Sequence, residues 1–355
     1  MSSSTTGPRR VPLSILDLAP VSEGADAAQA LRDSTELARL ADDLGYARFW
    51  MAEHHGSRTF ASSATSVLLA HIAAATRRIR VGSGGVMLPN HAPLMVAEHY
   101  GTLATLYGPR IDLGLGRAPG TDPTTAAALR RSTGQLDSFA QDVADLATWF
   151  GPREEAPGLR VRALPGEGTR VPLWMLGSSL GGASVAAALG LPFAFASHFA
   201  PDQLTQALAY YRENFDASAP TAQVDRPYVM AGINVLAAPT TREAEVLRTS
   251  SIVMAAQIRS GNAGPIVPPD EAVLENLDPR IGQLVESLQQ VRAVGTPDEV
   301  VAGIDAFVAQ HDLDEVITTT YTWDPALRRR SYELLAQAYG PLPQPTATVP
   351  TEAVA

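Results

Sequence analysis

Eight short apolar runs punctuate this chain, at 13–18, 48–53, 79–83, 111–115, 171–176, 193–197, 228–236 and 316–321. Each is bounded by glycine, proline or polar residues and is strand-sized rather than helix-sized. Between them run helical stripes. Leu37, Leu40, Ala41 and Leu44 share one face and stop at Gly45, and Val96, Tyr100, Leu103 and Tyr107 stop at Gly108-Pro109. Leu136, Phe139, Val143, Leu146 and Phe150 form a third stripe, and Leu204, Leu208, Tyr211 and Phe215 a fourth. Further helices are expected at 63–76, 183–189, 241–255, 298–310 and 326–339. Strands joined by crossover helices pair in parallel, with both sheet faces covered. The fold class is therefore α/β, and a (β/α)8 TIM barrel is the expected architecture, with an open doubly wound sheet as the alternative. One barrel domain is expected over 11–340, with a Pro-rich and then polar insertion at about 262–292, before the last strand. Residues 1–10 and 341–355 lack periodicity and read as disordered tails.

Composition removes several chemistries. All 27 basic residues are Arg, so Schiff-base catalysis and a phosphate-loop lysine are excluded. With no Cys there is no disulfide and no thiolate nucleophile. A net charge of -10 disfavours nucleic acid and anionic membranes as partners, and no apolar run is long enough to span a bilayer. A cytoplasmic enzyme is the expectation.

Chemistry collects where the strands end. The second ends in Glu53-His54-His55, the third in Gly82-Ser83-Gly84-Gly85 and the fourth in Gly114-Leu115-Gly116-Arg117. The fifth ends in Gly177-Ser178-Ser179 and the sixth in Ser197-His198. In a parallel barrel all five exits share one rim, where active sites form. Strand entries carry only turn residues such as Gly45-Tyr46. His54 and His55 face opposite ways in extended chain, a poor pair for one ion, and no metal site is expected. Glu53 suits orienting a neighbour better than donating a proton to substrate. Gly84-Gly85 permits close ligand approach, and Arg117 suits bidentate anion binding.

Gly177-Ser178-Ser179-Leu180-Gly181-Gly182 has two readings. As a helix start it offers amides and a positive dipole end to a phosphate. As Gly-x-Ser-x-Gly it places Ser179 as a hydrolase nucleophile, which then needs a later histidine. His198 follows too soon, leaving His311, which sits before the last strand instead of after one.

In order and spacing, the segments Trp50 to His55, Val81 to Pro89, Arg110 to Arg117 and Val294 to Glu299 resemble the bacterial luciferase-like flavin monooxygenases. The likeness runs from about residue 13 to 339. It is similar to non-luminescent members, because Gly116 and Gly177 stand where light emitters commonly carry a cysteine and a glutamate. The resemblance implies FMN at the C-terminal rim, used as FMNH2 supplied by a separate NAD(P)H-dependent flavin reductase. It implies His54 as the catalytic histidine with Glu53 beside it, and a non-prolyl cis peptide at Gly84-Gly85 under the flavin ring. Arg117, Ser178, Ser179 and Gly181 would hold the phosphate, with Ser197 and His198 beside the ring. The implied reaction oxygenates a small organic substrate with O2 through a flavin C4a-hydroperoxide. A lid is expected from the insertion and a homodimer from the helical shell. A serine hydrolase and a non-catalytic flavin-binding barrel are the alternatives.

Overall fold

A computed structural model describes residues 9–118, 123–129, 138–276 and 279–345. Ten strands run in the order β1 (Leu13–Asp17), β2 (Arg48–Met51), β3 (Arg80–Ser83), β4 (Val86–Met87), β5 (Ile111–Gly116), β6 (Leu173–Gly177), β7 (Phe193–Phe195), β8 (Val229–Ala237), β9 (Arg292–Gly295) and β10 (Glu315–Thr319). The helices are α1 (Ala27–Leu44), α2 (Thr65–Ala75), α3 (Pro93–Tyr107), α4 (Pro123–Ala128), α5 (Phe139–Phe150), α6 (Leu180–Ala188), α7 (Leu204–Glu213), α8 (Thr241–Arg259), α9 (Ala272–Asn276), α10 (Pro279–Leu288), α11 (Pro297–His311) and α12 (Pro325–Tyr339). Every strand pairing is parallel, and β10 pairs with both β1 and β8, closing an eight-stranded ring of β1, β2, β3, β5, β6, β7, β8 and β10. The structure is thus a TIM barrel, and the doubly wound alternative falls. The eight ring strands are the eight apolar runs. The two short strands β4 and β9, which no run announced, lie off the ring against β5 and β8.

Side-chain alternation sorts the strands into two cores. Outward residues such as Ile15, Phe49, Val81 and Leu113 pack under the helices. Inward residues form layers along the barrel axis. Near the strand entries, Arg48 donates to Asp112 at 2.6 Å and to Glu315 at 2.9 Å, while Arg80 donates to Asp112 at 2.6 Å. Burial would raise the Asp112 pKa, but the two guanidiniums outweigh it and hold the carboxyl below its usual range. Above this ionic plug, Trp50, Trp174 and Tyr228 meet edge to face, with centroids 5.2 and 5.5 Å apart. Gly82 makes room for that layer, since a Cβ there would sit 2.8 Å from Trp50 Nε1. Higher still, Leu16, Leu176, Ala194 and Ile317 leave space.

The capping box at Thr296 and Glu299 starts α11, and Gly45, with φ of 85°, ends α1. The segment about 262–292 contains α9 and α10, and Ile266 bridges to Ser22 beside the barrel mouth. Residues 1–8 and 346–355 of the expected tails, Leu136 of the third stripe, and residues 277–278 lie outside the described residues.

Candidate active site

At the C-terminal rim the empty upper layer opens into a cavity of about 460 Å³. Its floor is Leu16, Trp50, Gly84, Leu176 and Ile317. The loops after β2 and β7 wall it with His54, Phe60, His198 and Phe199, and Asn234 and Tyr321 come from β8 and the turn after β10. Its roof is the C-terminal half of α8, through Met254, Ala255 and Ile258. The sequence placed the cover in the 262–292 segment, from which Ala263 and Gln289 reach the cavity; α8 supplies more of the surface.

The histidine pair divides in the loop that follows β2. His54 lines the cavity, its ring 5.2 Å from Phe60. Its buried Nδ1 has no hydrogen-bond partner among the described residues. Burial lowers the His54 pKa, and the charge of Glu53 only partly opposes this, so the ring is neutral at pH 7. His55 turns away and its Nε2 lies 2.8 Å from Glu53 Oε1. His91, at the end of the turn after β4, places its own Nε2 2.8 Å from the same oxygen. Burial alone would raise the Glu53 pKa, but the bonds and charge of His91 and His55 outweigh it and keep the carboxylate ionised. Glu53 therefore ties together the loops after β2 and β4 from behind His54. These three ligand atoms lie within 4.8 Å of one another, a grouping that the expectation of no metal site did not foresee.

His198 is held by its neighbours. Its carbonyl accepts from Asn234 Nδ2 at 2.6 Å, and its ring packs over Gly232, where any side chain would collide with it. Burial, with the nearby His54, pushes its pKa down to about 4. Its Nδ1 is likewise unpartnered among the described residues. Ser197 points elsewhere: its Oγ donates to the Gly232 carbonyl at 2.6 Å and fixes β7 to β8.

The Gly84–Gly85 peptide is cis. A Cβ on Gly85 would lie 2.7 Å from the Gly114 carbonyl, so backbone contact itself demands glycine there. One strand along the rim, Gly116 pairs with Leu176, which sets Arg117 beside the start of α6. A methyl group placed on Gly181 would fall 2.7 Å from Arg117 Nη2. Arg117 is exposed and has no carboxylate partner among the described residues. Ser179 is the N-cap of α6, with no side-chain cap bond. The helix start, its glycine amides and a guanidinium thus converge, a donor set suited to a phosphate. The hydrolase reading fails on topology, because Ser179 follows the exit of β6 while His311 precedes the entry of β10, at the opposite rim.

A family model described as luciferase-like monooxygenase matches residues 11–312. This chain belongs to that family. A luciferase-like monooxygenase of Escherichia coli K12 is 47% identical over 327 residues, covering 92% of this chain and 96% of the relative. The N-acetyl-S-alkylcysteine monooxygenase of Bacillus subtilis strain 168 is 33% identical over 334 residues, covering 92% and 97%. Among solved structures, apo-MsnO8 superposes with a TM-score of 0.84 at 36% identity, covering 94% of this chain and 100% of that one.

Membership makes the chain an oxidoreductase of the monooxygenase type, and no described helix is long and apolar enough to cross a membrane. In this luciferase-like monooxygenase, His54, Gly84 and His198 meet at the cavity, with Gly85 adjoining. Arg117 and Gly181 meet at the start of α6, where Ser179 is the N-cap and Ser178 precedes it, while Glu53 and Ser197 stand behind the surface as supports. Sequence reading missed His91, Phe60, Asn234, Tyr321 and the α8 roof. Only Asn234, on an inward strand position, carried a usable periodic signal.

Proposed function

We propose that this chain uses reduced FMN and O2 to insert one oxygen atom into a small, largely apolar organic molecule. The carrying observation is the junction of two unlike features on one rim: an apolar cavity walled by His54 and His198, and Arg117, unpaired among the described residues, beside the start of α6. FMN fits that junction. Its phosphate would sit against Arg117, the Ser178 and Ser179 hydroxyls and the first turn of α6, with the ring toward Gly84-Gly85. When bound, reduced flavin supplies the two electrons that let O2 deliver one atom to substrate and the other to water.

The protein's own share is placement, dryness and a proton. His54, uncharged at neutral pH, can accept a proton inside the cavity and return it. Glu53, held ionised by His55 and His91, keeps the His54 loop in place and acts as a positioning residue. His198 stays neutral and offers a hydrogen-bonding edge beside the flavin ring. Leu16, Phe60, Ile258 and Tyr321 exclude water that would divert the reactive oxygen.

A separate NAD(P)H-dependent reductase supplies FMNH2, and the protein works as a homodimer. In support of the dimer, α2 carries no Asp, Glu, Lys or Arg and α3 only Glu98, while Val67, Met95 and Leu106 stand exposed on the two helices. The deciding experiment gives the purified chain a flavin reductase, NADH and labelled O2 with thioethers, aldehydes and aromatic ketones. N-acetyl-S-alkylcysteines come first, after the relative's name. Label is expected in one product, dependent on FMN. FMN binding with no label in any product would instead support a non-catalytic flavin barrel.

A further inference from the structure

Arg259 closes the last turn of α8, where the helix dipole favours a cation, and it lines the mouth of the cavity. With His54 and His198 neutral, it is the one formal charge among the described lining residues. It has no carboxylate or hydrogen-bond partner among the described residues, whereas most arginines of this chain are paired. The anion cradle at Arg117 and α6 already accounts for the cofactor phosphate, so Arg259 is left for something else.

We propose that the substrate is an apolar organic acid whose carboxylate pairs with Arg259; this rests on the monooxygenase reading of the cavity. Thr59 Oγ1 donates to the Gly264 carbonyl at 2.7 Å, drawing the loop after β2 against the turn that follows α8. In that loop Ser57 Oγ accepts from the Thr59 and Phe60 amides and retains its O–H as a donor at the cavity wall. Arg259 and Ser57 are both exposed residues of the cavity lining, so the guanidinium supplies the charge for a carboxylate and the Ser57 hydroxyl is a further donor on the same wall. The body of the molecule lies between Phe60, Ile258 and Tyr321. Arg259 comes from the roof, while His54 and Gly84 belong to the wall and floor. The oxidised atom is accordingly separated from the acid group by an apolar stretch, instead of being adjacent to it.

The test compares straight-chain carboxylic acids of increasing length with their methyl esters, by calorimetry on FMN-loaded and flavin-free protein. The parent should bind at least one acid about tenfold or more tightly than its ester. That preference should vanish in Arg259→Gln, fall with added salt and partly return in Arg259→Lys. If no acid outbinds its ester, or if Arg259→Gln keeps the preference, the proposal is overturned. A loss of FMN affinity in Arg259→Gln also overturns it, by assigning the guanidinium to the cofactor. Failure of the parent to bind FMN strikes at the monooxygenase reading alone, since the flavin-free series still reports on Arg259.

Discussion

Replacing Arg117 with alanine removes one of the two elements of the proposed phosphate site, and the other, the start of α6, stays. A charge-assisted hydrogen bond to a phosphate contributes about 1.5–3 kcal/mol. Arg117 is exposed, so solvent screening puts the loss at the lower end, about 1.5 kcal/mol, or roughly tenfold in affinity. Riboflavin has the same ring and no phosphate, so its affinity should not change. The readout is the ratio of FMN to riboflavin dissociation constants from flavin fluorescence titration, which should narrow about tenfold, and by less in high salt. Gly181→Ala makes a graded version of the same perturbation. Its methyl would lie 2.7 Å from Nη2 and 3.1 Å from Cζ of Arg117, and the guanidinium can swing away. A smaller loss, again confined to FMN, is expected. Equal losses for FMN and riboflavin would place Arg117 near the ring or in the fold, and an unchanged ratio would remove it from the cofactor site.

His54→Ala should keep FMN affinity yet lower labelled-oxygen incorporation by at least about a hundredfold, and undiminished turnover would remove the imidazole from the chemistry. His198 is neutral when folded, with a pKa of about 4 against an ordinary 6.5. Its contribution is therefore intact above pH 6.5 and lost as pH falls through 4, about 3 kcal/mol in all. Urea midpoints at pH 7, 5.5 and 4 should fall more steeply in the parent than in His198→Gln, and parallel curves would refute this. Arg48→Met leaves Asp112 and Glu315 without their shared guanidinium and should cost about 3 kcal/mol of unfolding free energy, with Arg80 limiting the damage at Asp112. Leu106→Glu puts a charge on the bare face of α3 and should leave a folded monomer in the ultracentrifuge; a dimer that persists would move the interface elsewhere.

The barrel was legible because each ring strand is a contiguous apolar run, which local sequence displays directly. The strands β4 and β9 were not, since residues as few as Val86 and Met87 carry no period. The same contrast holds at the site. His54, Gly84, Gly85, Arg117 and Ser178 were visible because rim residues follow strands immediately, and strands were easy to find. His91 meets Glu53 across 38 positions, and Asn234 supports His198 across 36. Such pairings depend on how neighbouring loops fold over the rim, which no spacing rule encodes. The α8 roof was hidden differently. Its residues read as an ordinary amphipathic helix, and whether a stripe faces the shell or the barrel mouth is settled by the packing of the whole chain.

The axial layering explains how one scaffold keeps its charges away from its chemistry. Arg48, Arg80, Asp112 and Glu315 satisfy one another at the strand entries, and the Trp50, Trp174 and Tyr228 layer separates them from the cavity. Because that plug carries much of the barrel's internal polarity, the upper layer can be lined by apolar residues without leaving buried charges unpaired. That apolar lining buries His54 and His198 and lowers their pKa values, and in the proposed reaction it would also exclude water that competes for activated oxygen. A substitution that wets the cavity, such as Phe60→Ser, would raise the pKa of His54 and divert oxygen toward peroxide, coupling two observables that a purely steric role for Phe60 would leave independent.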